Sequence, residues 1–366
     1  MSILLFIAIL AILILVHEFG HFIVAKRSGV RVDEFGIGFP PKIFGKKIGE
    51  TEYSLNLLPI GGFVKIFGET PDEESINGPD AKRSFVNKPK YIQAAILFAG
   101  VFFNILLAWF LISAGFMAGL PTPVDVTPEG RTLQNINLVI TEILPDSPAQ
   151  DAGLKAGDKI LSLTAGENGV ILPSPEATQE FIATRVDEDI IFAIQRGKQP
   201  AVDFTIRPAE GIIDRPVVGI AMEEIGILKL PFYLAFWEGA KLTAMLTEAT
   251  FFGFAGFVGD IFTGNADLSD VAGPVGIVGI VGDASEFGFI YLLMLTAIIS
   301  INLAIINLVP FPALDGGRLL FLFIETIKGS PIKPSVANAM NVIGFALLIL
   351  LMVVITYSDI AKIVTG

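Results

Sequence analysis

Four stretches, residues 3–24, 92–120, 289–309 and 339–357, each approach the roughly 20 mostly apolar residues needed to cross a bilayer as a helix. Backbone placed in lipid must satisfy its own hydrogen bonds, so runs of this kind commit their own residues to helices. Composition agrees: 52% of the 366 residues are hydrophobic and 17% are charged, against about 25% charged in soluble domains. The fold class expected is a polytopic α-helical membrane protein with about four transmembrane helices, and an ordinary cytosolic enzyme is not expected. The first run has the length of a secretory h-region. No Lys or Arg precedes it and no small-residue cleavage site follows it, so it is expected to stay in the mature protein.

Charge orients the spans. Residues 25–91 hold 11 Lys plus Arg, whereas the longer stretch 120–288 holds 10 alongside 24 Asp plus Glu. Cytoplasmic loops carry the Lys/Arg excess, which puts the first loop inside, the second outside and the N-terminus outside. The expected location is the inner (cytoplasmic) membrane, multi-pass. Residues 230–262 are apolar but interrupted by Glu238, Lys241, Glu248 and Asp260, and read as amphipathic helices lying at the outer interface. A fifth span there would reverse the final third.

No cysteine is present, which excludes a disulfide framework, a Cys-ligated zinc site and a thiol nucleophile. A net charge of −12 offers no basic surface, so nucleic acid is not an expected partner.

Between residues 120 and 231 the composition becomes that of a small soluble domain. Within it, Ser147-Pro148-Ala149 leads through Ala152-Gly153-Leu154 to Gly157-Asp158-Lys159-Ile160, a short helix, a Gly-punctuated turn and a strand. This resembles the core motif of bacterial PDZ (α+β) domains over roughly residues 136–222. The stretch 215–220 resembles their peptide-binding strand, implying Val217, Val218, Gly219 and Ile220 as the peptide-binding residues. PDZ domains add an extended peptide to a sheet edge. A steric plug above the membrane part is the alternative.

The two histidines stand as His17-Glu18-Phe19-Gly20-His21. On a helix, positions i and i+4 share a face, so both imidazoles can hold one metal ion with Glu18 beside them as a base. Catalytic zinc takes three protein ligands and keeps one position open, and the third must here be a carboxylate. Asp315 is the outstanding candidate, because Pro310 and Pro312 break the third span just before it. His17 lies about 21 Å along the first helix at 1.5 Å per residue, near the level where the third span ends. One Zn2+ per chain is the expected cofactor, although two imidazoles and a carboxylate also suit iron.

The HExxH pair, the PDZ-like module and the stretch from Asn307 through Pro310, Pro312 and Leu314 to Asp315-Gly316 together resemble the site-2 protease family of intramembrane zinc metalloproteases. The likeness is to its bacterial PDZ-containing branch, the regulator-of-sigma-E protease type, and it covers essentially the whole chain. It implies His17, His21 and Asp315 as zinc ligands and Glu18 as the catalytic base. Residues 51–69 resemble the family's cytoplasmic-side membrane-associated β-hairpin, implying that Gly61, Gly62, Phe63 and Val64 pair with an unwound substrate; a plain cytoplasmic sheet fits the alternation equally. Residues 99–104 resemble a Gly-Pro-x-x-Asn stretch, with Val101 where the family has proline. Gly273-Pro274-Val275-Gly276 matches a further family turn of no derived role. Asn307 would hold substrate backbone or steady the loop. Arg318 would either bond Asp315 or mark the cytoplasmic boundary.

The expected layout is 1–120 for the first two spans with the hairpin loop, 121–228 for the extracytoplasmic PDZ domain, 229–288 for interfacial amphipathic helices and 289–366 for the last two spans. The expected activity is cleavage of transmembrane segments of single-span proteins, such as anti-sigma factors or signal-peptide remnants, with the PDZ domain contacting a peptide or substrate ectodomain. A catalytically inactive, membrane-bound PDZ scaffold is the alternative, and a metal-ion carrier would need more intramembrane ligands than these spans offer.

Overall fold

A computed structural model describes residues 1–365 apart from 71, 129, 167, 172, 186–187, 198, 210–216 and 266–271. Its residues fall into two compact units, 1–112 with 238–282 and 294–366, and 113–237 with 283–293.

The first unit begins with α1 (Ser2–Arg27), apolar between Ser2 and the stretch His17-Glu18-Phe19-Gly20-His21 and closed by Lys26 and Arg27 in its last turn, where cations suit the helix dipole. Two long strands follow, β1 (Val32–Ile48) and β2 (Thr51–Ile66), with a capped short helix α2 (Glu73–Asn77) after them. The strands form more than a simple hairpin. Glu34–Ile37 pair with residues 62–65 on one side and with 52–55 on the other, leaving residues 62–65 at a sheet edge among the described residues. Gly38 and Gly61 take left-handed φ values of 77° and 100° at the bends this requires. Asn56 Nδ2 ties the first bend by donating to the Gly38 carbonyl at 3.1 Å. Phe22, Val32, Phe35, Ile66 and Ile96 share one buried cluster joining α1, both strands and α3 (Lys90–Ala118).

The second unit carries one seven-stranded sheet. Its strands are β3 (Leu120–Pro123), β4 (Gln134–Ile143), β5 (Lys159–Ala165), β6 (Asn168–Ile171), β7 (Ile190–Gln195), β8 (Val202–Ile206) and β9 (Ile220–Leu228). The path runs β3-β9-β4-β5-β7-β8, with β6 paired to β5. Leu138, Ile140, Leu163, Ile190 and Phe192 fill its core. Two helices, α4 (Pro148–Asp151) and α5 (Pro175–Ala183), each start with a serine cap followed by proline. Asp158 is fully buried, accepts two bonds from Arg196 at 2.7 Å and one from the Lys155 amide at 2.9 Å. Asp158→Ala strands the half-buried guanidinium and is expected to cost about 3 kcal/mol, measured as a drop in the unfolding transition of the full chain. An unchanged transition would count against this clamp.

The remaining helices are α6 (Phe232–Thr263), α7 (Pro274–Phe287), α8 (Phe289–Leu308), α9 (Asp315–Lys328) and α10 (Pro334–Thr365). The four expected spans appear as α1, α3, α8 and α10, and α6 is a fifth helix long and apolar enough to cross a membrane. Helix α6 is continuous over 32 residues. No proline interrupts it, and Glu238 is neutralised by Lys241 one turn on, at 2.6 Å. Gly273 and Gly276, which carried no role in the sequence, have one here. Their amides donate to the Asp359 carboxylate of α10 at 3.1 and 2.8 Å, capping α7.

Candidate metal centre

Helix α8 ends at Leu308 because Pro310 disfavours helical backbone at residue 309. The chain then turns tightly into α9. Ala313 sits at φ 75°, its amide donating to Asn341 Oδ1 of α10 at 3.3 Å. Gly344 of α10 lies against Pro312 so closely that a Cβ would come 2.7 Å from the proline Cβ. Gly316 and Gly317 are needed because any Cβ there would strike the carbonyls of residues 308, 309 and 311. This turn delivers Asp315 to α1.

The three expected donors meet. His17 Nε2 lies 3.0 Å from Asp315 Oδ2, His21 Nε2 lies 3.2 Å from the same oxygen, and the two imidazole nitrogens are 3.2 Å apart. Three ligand atoms held tetrahedrally at 2.0–2.1 Å from zinc would be separated by about 3.3 Å, so this triangle fits one zinc ion with a fourth position open. Both histidines are buried. His21 Nδ1–H donates to the Ile96 carbonyl at 2.7 Å, which leaves its Nε2 lone pair directed at the triangle.

Close packing of α3 makes this arrangement possible. A Cβ on Gly20 would fall 2.8 Å from the Ala99 carbonyl carbon. One on Gly100 would fall 2.6 Å from His17 Cε1 and 2.7 Å from His17 Nε2. Two glycines thus let the helices approach until the imidazoles lie on α3 backbone. Asn104, one turn further along α3 and fully buried, reaches His17 Nδ1 at 3.3 Å. Sequence reading assigned no part to Gly20, Ile96 or Gly100. Gly100 does fall in the stretch 99–104 that resembles a family motif, but Gly20 and Ile96 carry no signal beyond a small residue and an apolar one inside apolar helices.

Glu18, half-buried, faces a cavity of about 210 Å³ lined also by His21, Asp315, Phe63, Val64 and Glu69. The Gly62 backbone lies next to Glu18, since a Cβ there would stand 3.8 Å from Glu18 Cγ. Gly61 adjoins this edge, its hydrogen side against Phe39. The edge segment named from sequence therefore lies beside the proposed base. Arg318 also lines the cavity but pairs with Glu69 rather than Asp315, which decides between its two sequence readings against direct support of the ligand. Asn307 is half-buried in the last turn of α8 and does not line the cavity.

In the second unit, Val217 exchanges two backbone bonds with Ala209, and Val218 is buried with its carbonyl taken by the Ala149 amide. Gly219 turns at φ 82° into Ile220, the first residue of β9. Residues 215–216 of the expected strand lie outside the described residues. Beyond Gly219, β9 pairs with β4, and a cleft of about 220 Å³ flanks Met222, Glu223 and Glu224 opposite Pro175 and Glu176 of α5.

Long apolar helices, a β-hairpin and a triangle of two buried histidines and a half-buried aspartate beside a glutamate define a polytopic membrane metalloprotease. The chain belongs to peptidase family M50, whose model matches residues 5–351. A protein of Clostridium perfringens is 35% identical to it, with 95% of each chain covered. The zinc metalloprotease RasP of Geobacillus kaustophilus is 31% identical over 99% of this chain and 98% of its own. The regulator of sigma-E protease RseP of Salmonella typhimurium is 30% identical over 98% of each. Zinc is accordingly the metal of this enzyme.

Proposed function

We propose that this zinc metalloprotease cuts the transmembrane segments of single-span proteins within the membrane, using His17, His21 and Asp315 as zinc ligands and Glu18 as general base. The donor triangle beside Glu18 carries this reading. Zinc bound there supplies a Lewis acid for the scissile carbonyl and a lowered pKa for a water. Glu18 takes a proton from the water that adds to the carbonyl carbon and returns it to the leaving amide nitrogen as the C–N bond breaks.

An amide inside a helix is shielded by its own hydrogen bonds, so the substrate must unwind before attack. The free edge at Gly61, Gly62, Phe63 and Val64 offers it replacement bonds by strand addition, next to Glu18. Asn307 would hold the substrate backbone or steady the turn before Asp315. The sheet of the second unit acts as a PDZ domain, taking a peptide or substrate ectodomain at Val217, Val218, Gly219 and Ile220. Lipid surrounds the apolar helices in the inner membrane, with the N-terminus and PDZ domain outside and the active site near the cytoplasmic side. Residues 229–288 would lie at the outer interface. Anti-sigma factors and signal-peptide remnants are the substrate types with this topology.

The test is cleavage of a tagged, short-ectodomain single-span protein by the purified enzyme in detergent. Chelation is expected to abolish product and added zinc to restore it. Zinc bound without any cleavage, across substrates of several sequences, would favour the inactive PDZ scaffold.

A further inference from the structure

Asn104 is a costly residue where it stands. Its side chain is buried inside an apolar helix, its Oδ1 has no hydrogen-bond partner among the described residues, and its one side-chain contact is Nδ2 to His17 Nδ1 at 3.3 Å. A buried polar atom without a partner costs about 1–3 kcal/mol. In the orientation described, Nδ2 donates to Nδ1, which forces the His17 proton onto Nε2, the nitrogen facing Asp315 Oδ2 at 3.0 Å. A protonated Nε2 has no lone pair for a metal. His21 is already in the opposite state, its Nδ1–H given to Ile96.

Rotating the amide half a turn exchanges Oδ1 and Nδ2 with almost no change of shape. We propose that in the zinc-loaded enzyme Asn104 presents Oδ1 to His17 Nδ1–H, fixing the tautomer that frees Nε2 for the metal, so that Asn104 is a positioning residue for the first ligand. This rests on His17 being a zinc ligand. The backbone around Asn104 is fixed independently, because Ser300 Oγ of α8 donates to its carbonyl at 2.8 Å. Only the amide plane is free to turn. The outer partner of His21 is a main-chain carbonyl that no substitution removes, whereas that of His17 is a side chain and can be altered.

The experiment is a zinc titration of the purified full chain against a chromogenic chelator, paired with thermal unfolding of each zinc-free protein. Asn104→Leu is expected to weaken zinc binding about 10- to 100-fold, the usual cost of losing such an outer partner, while its zinc-free form unfolds no lower than wild type because a poorly paired amide has gone. Asn104→Asp, an acceptor only, is expected to bind zinc within a few-fold of wild type. Zinc binding by Asn104→Leu within threefold of wild type overturns the proposal. So does an equal loss in Asn104→Asp, or a zinc-free Asn104→Leu protein that unfolds well below wild type, since each makes the amide structural. His17→Ala in the same titration separates the layers: a protein that still binds zinc like wild type overturns the ligand assignment itself, while a large loss there beside an unaffected Asn104→Leu overturns only the role of Asn104.

Discussion

Glu18→Gln is expected to lose peptide hydrolysis by about a thousandfold, the middle of the range for a positioned general base, while binding zinc as tightly as wild type. The amide keeps the size of the carboxylate but cannot take a proton from water. None of the three donor atoms of the triangle belongs to Glu18, so the metal should be indifferent to the change. Glu18 lines the cavity with His21 and Asp315 and abuts Gly62 on the edge strand, so the proposed base sits where a paired substrate would pass. Turnover and zinc content measured on one preparation decide the matter. Full activity in Glu18→Gln would remove the assigned base, and loss of zinc would mean that Glu18 is a ligand instead.

Gly100→Ala is expected to damage the metal site while leaving the fold intact. In an ordinary helix interior this exchange stabilises by about 1 kcal/mol. Here the methyl carbon would fall 2.6 Å from His17 Cε1, where carbon atoms ordinarily meet at about 3.5–4.0 Å. Roughly 1 Å of movement is needed, and an imidazole free of metal can swing to provide it. Metal sites tolerate only about 0.2 Å in ligand distance. The cost therefore falls on zinc binding rather than on folding. A loss of zinc affinity of about 100-fold or more is expected, together with an equal or higher unfolding temperature for the zinc-free protein. Wild-type affinity in Gly100→Ala would show that the imidazoles do not rest on α3 as described.

The two variants bear on different layers of the same centre. In the proposed mechanism Glu18 carries the proton chemistry and leaves the metal alone. Gly100 has no chemistry of its own and acts only through the space it leaves. A membrane enzyme of this kind needs both, since its ligands come from segments nearly 300 residues apart that only close helix packing can bring into register.

What the sequence determined by itself is what a few neighbouring residues encode. Apolar runs marked α1, α3, α8 and α10, because length and hydropathy are local properties. The i, i+4 spacing put His17 and His21 on one face, and the prolines at 310 and 312 ended α8 ahead of Asp315. Tertiary structure alone decided what faces what. The carbonyl of Ile96 orients His21, Gly100 leaves room for both rings, and Asn104 meets His17 across a separation of 87 residues. Arg318 chose Glu69 over Asp315, strands β1 and β2 folded back so that residues 62–65 form an edge, and Asp359 supplied the cap that gave Gly273 and Gly276 a purpose. A backbone carbonyl or a missing side chain has no chemical signature in a sequence, because every residue has the one and every glycine the other. Their meaning arises only when packing brings a partner within about 3 Å, and that is a property of the assembled helices.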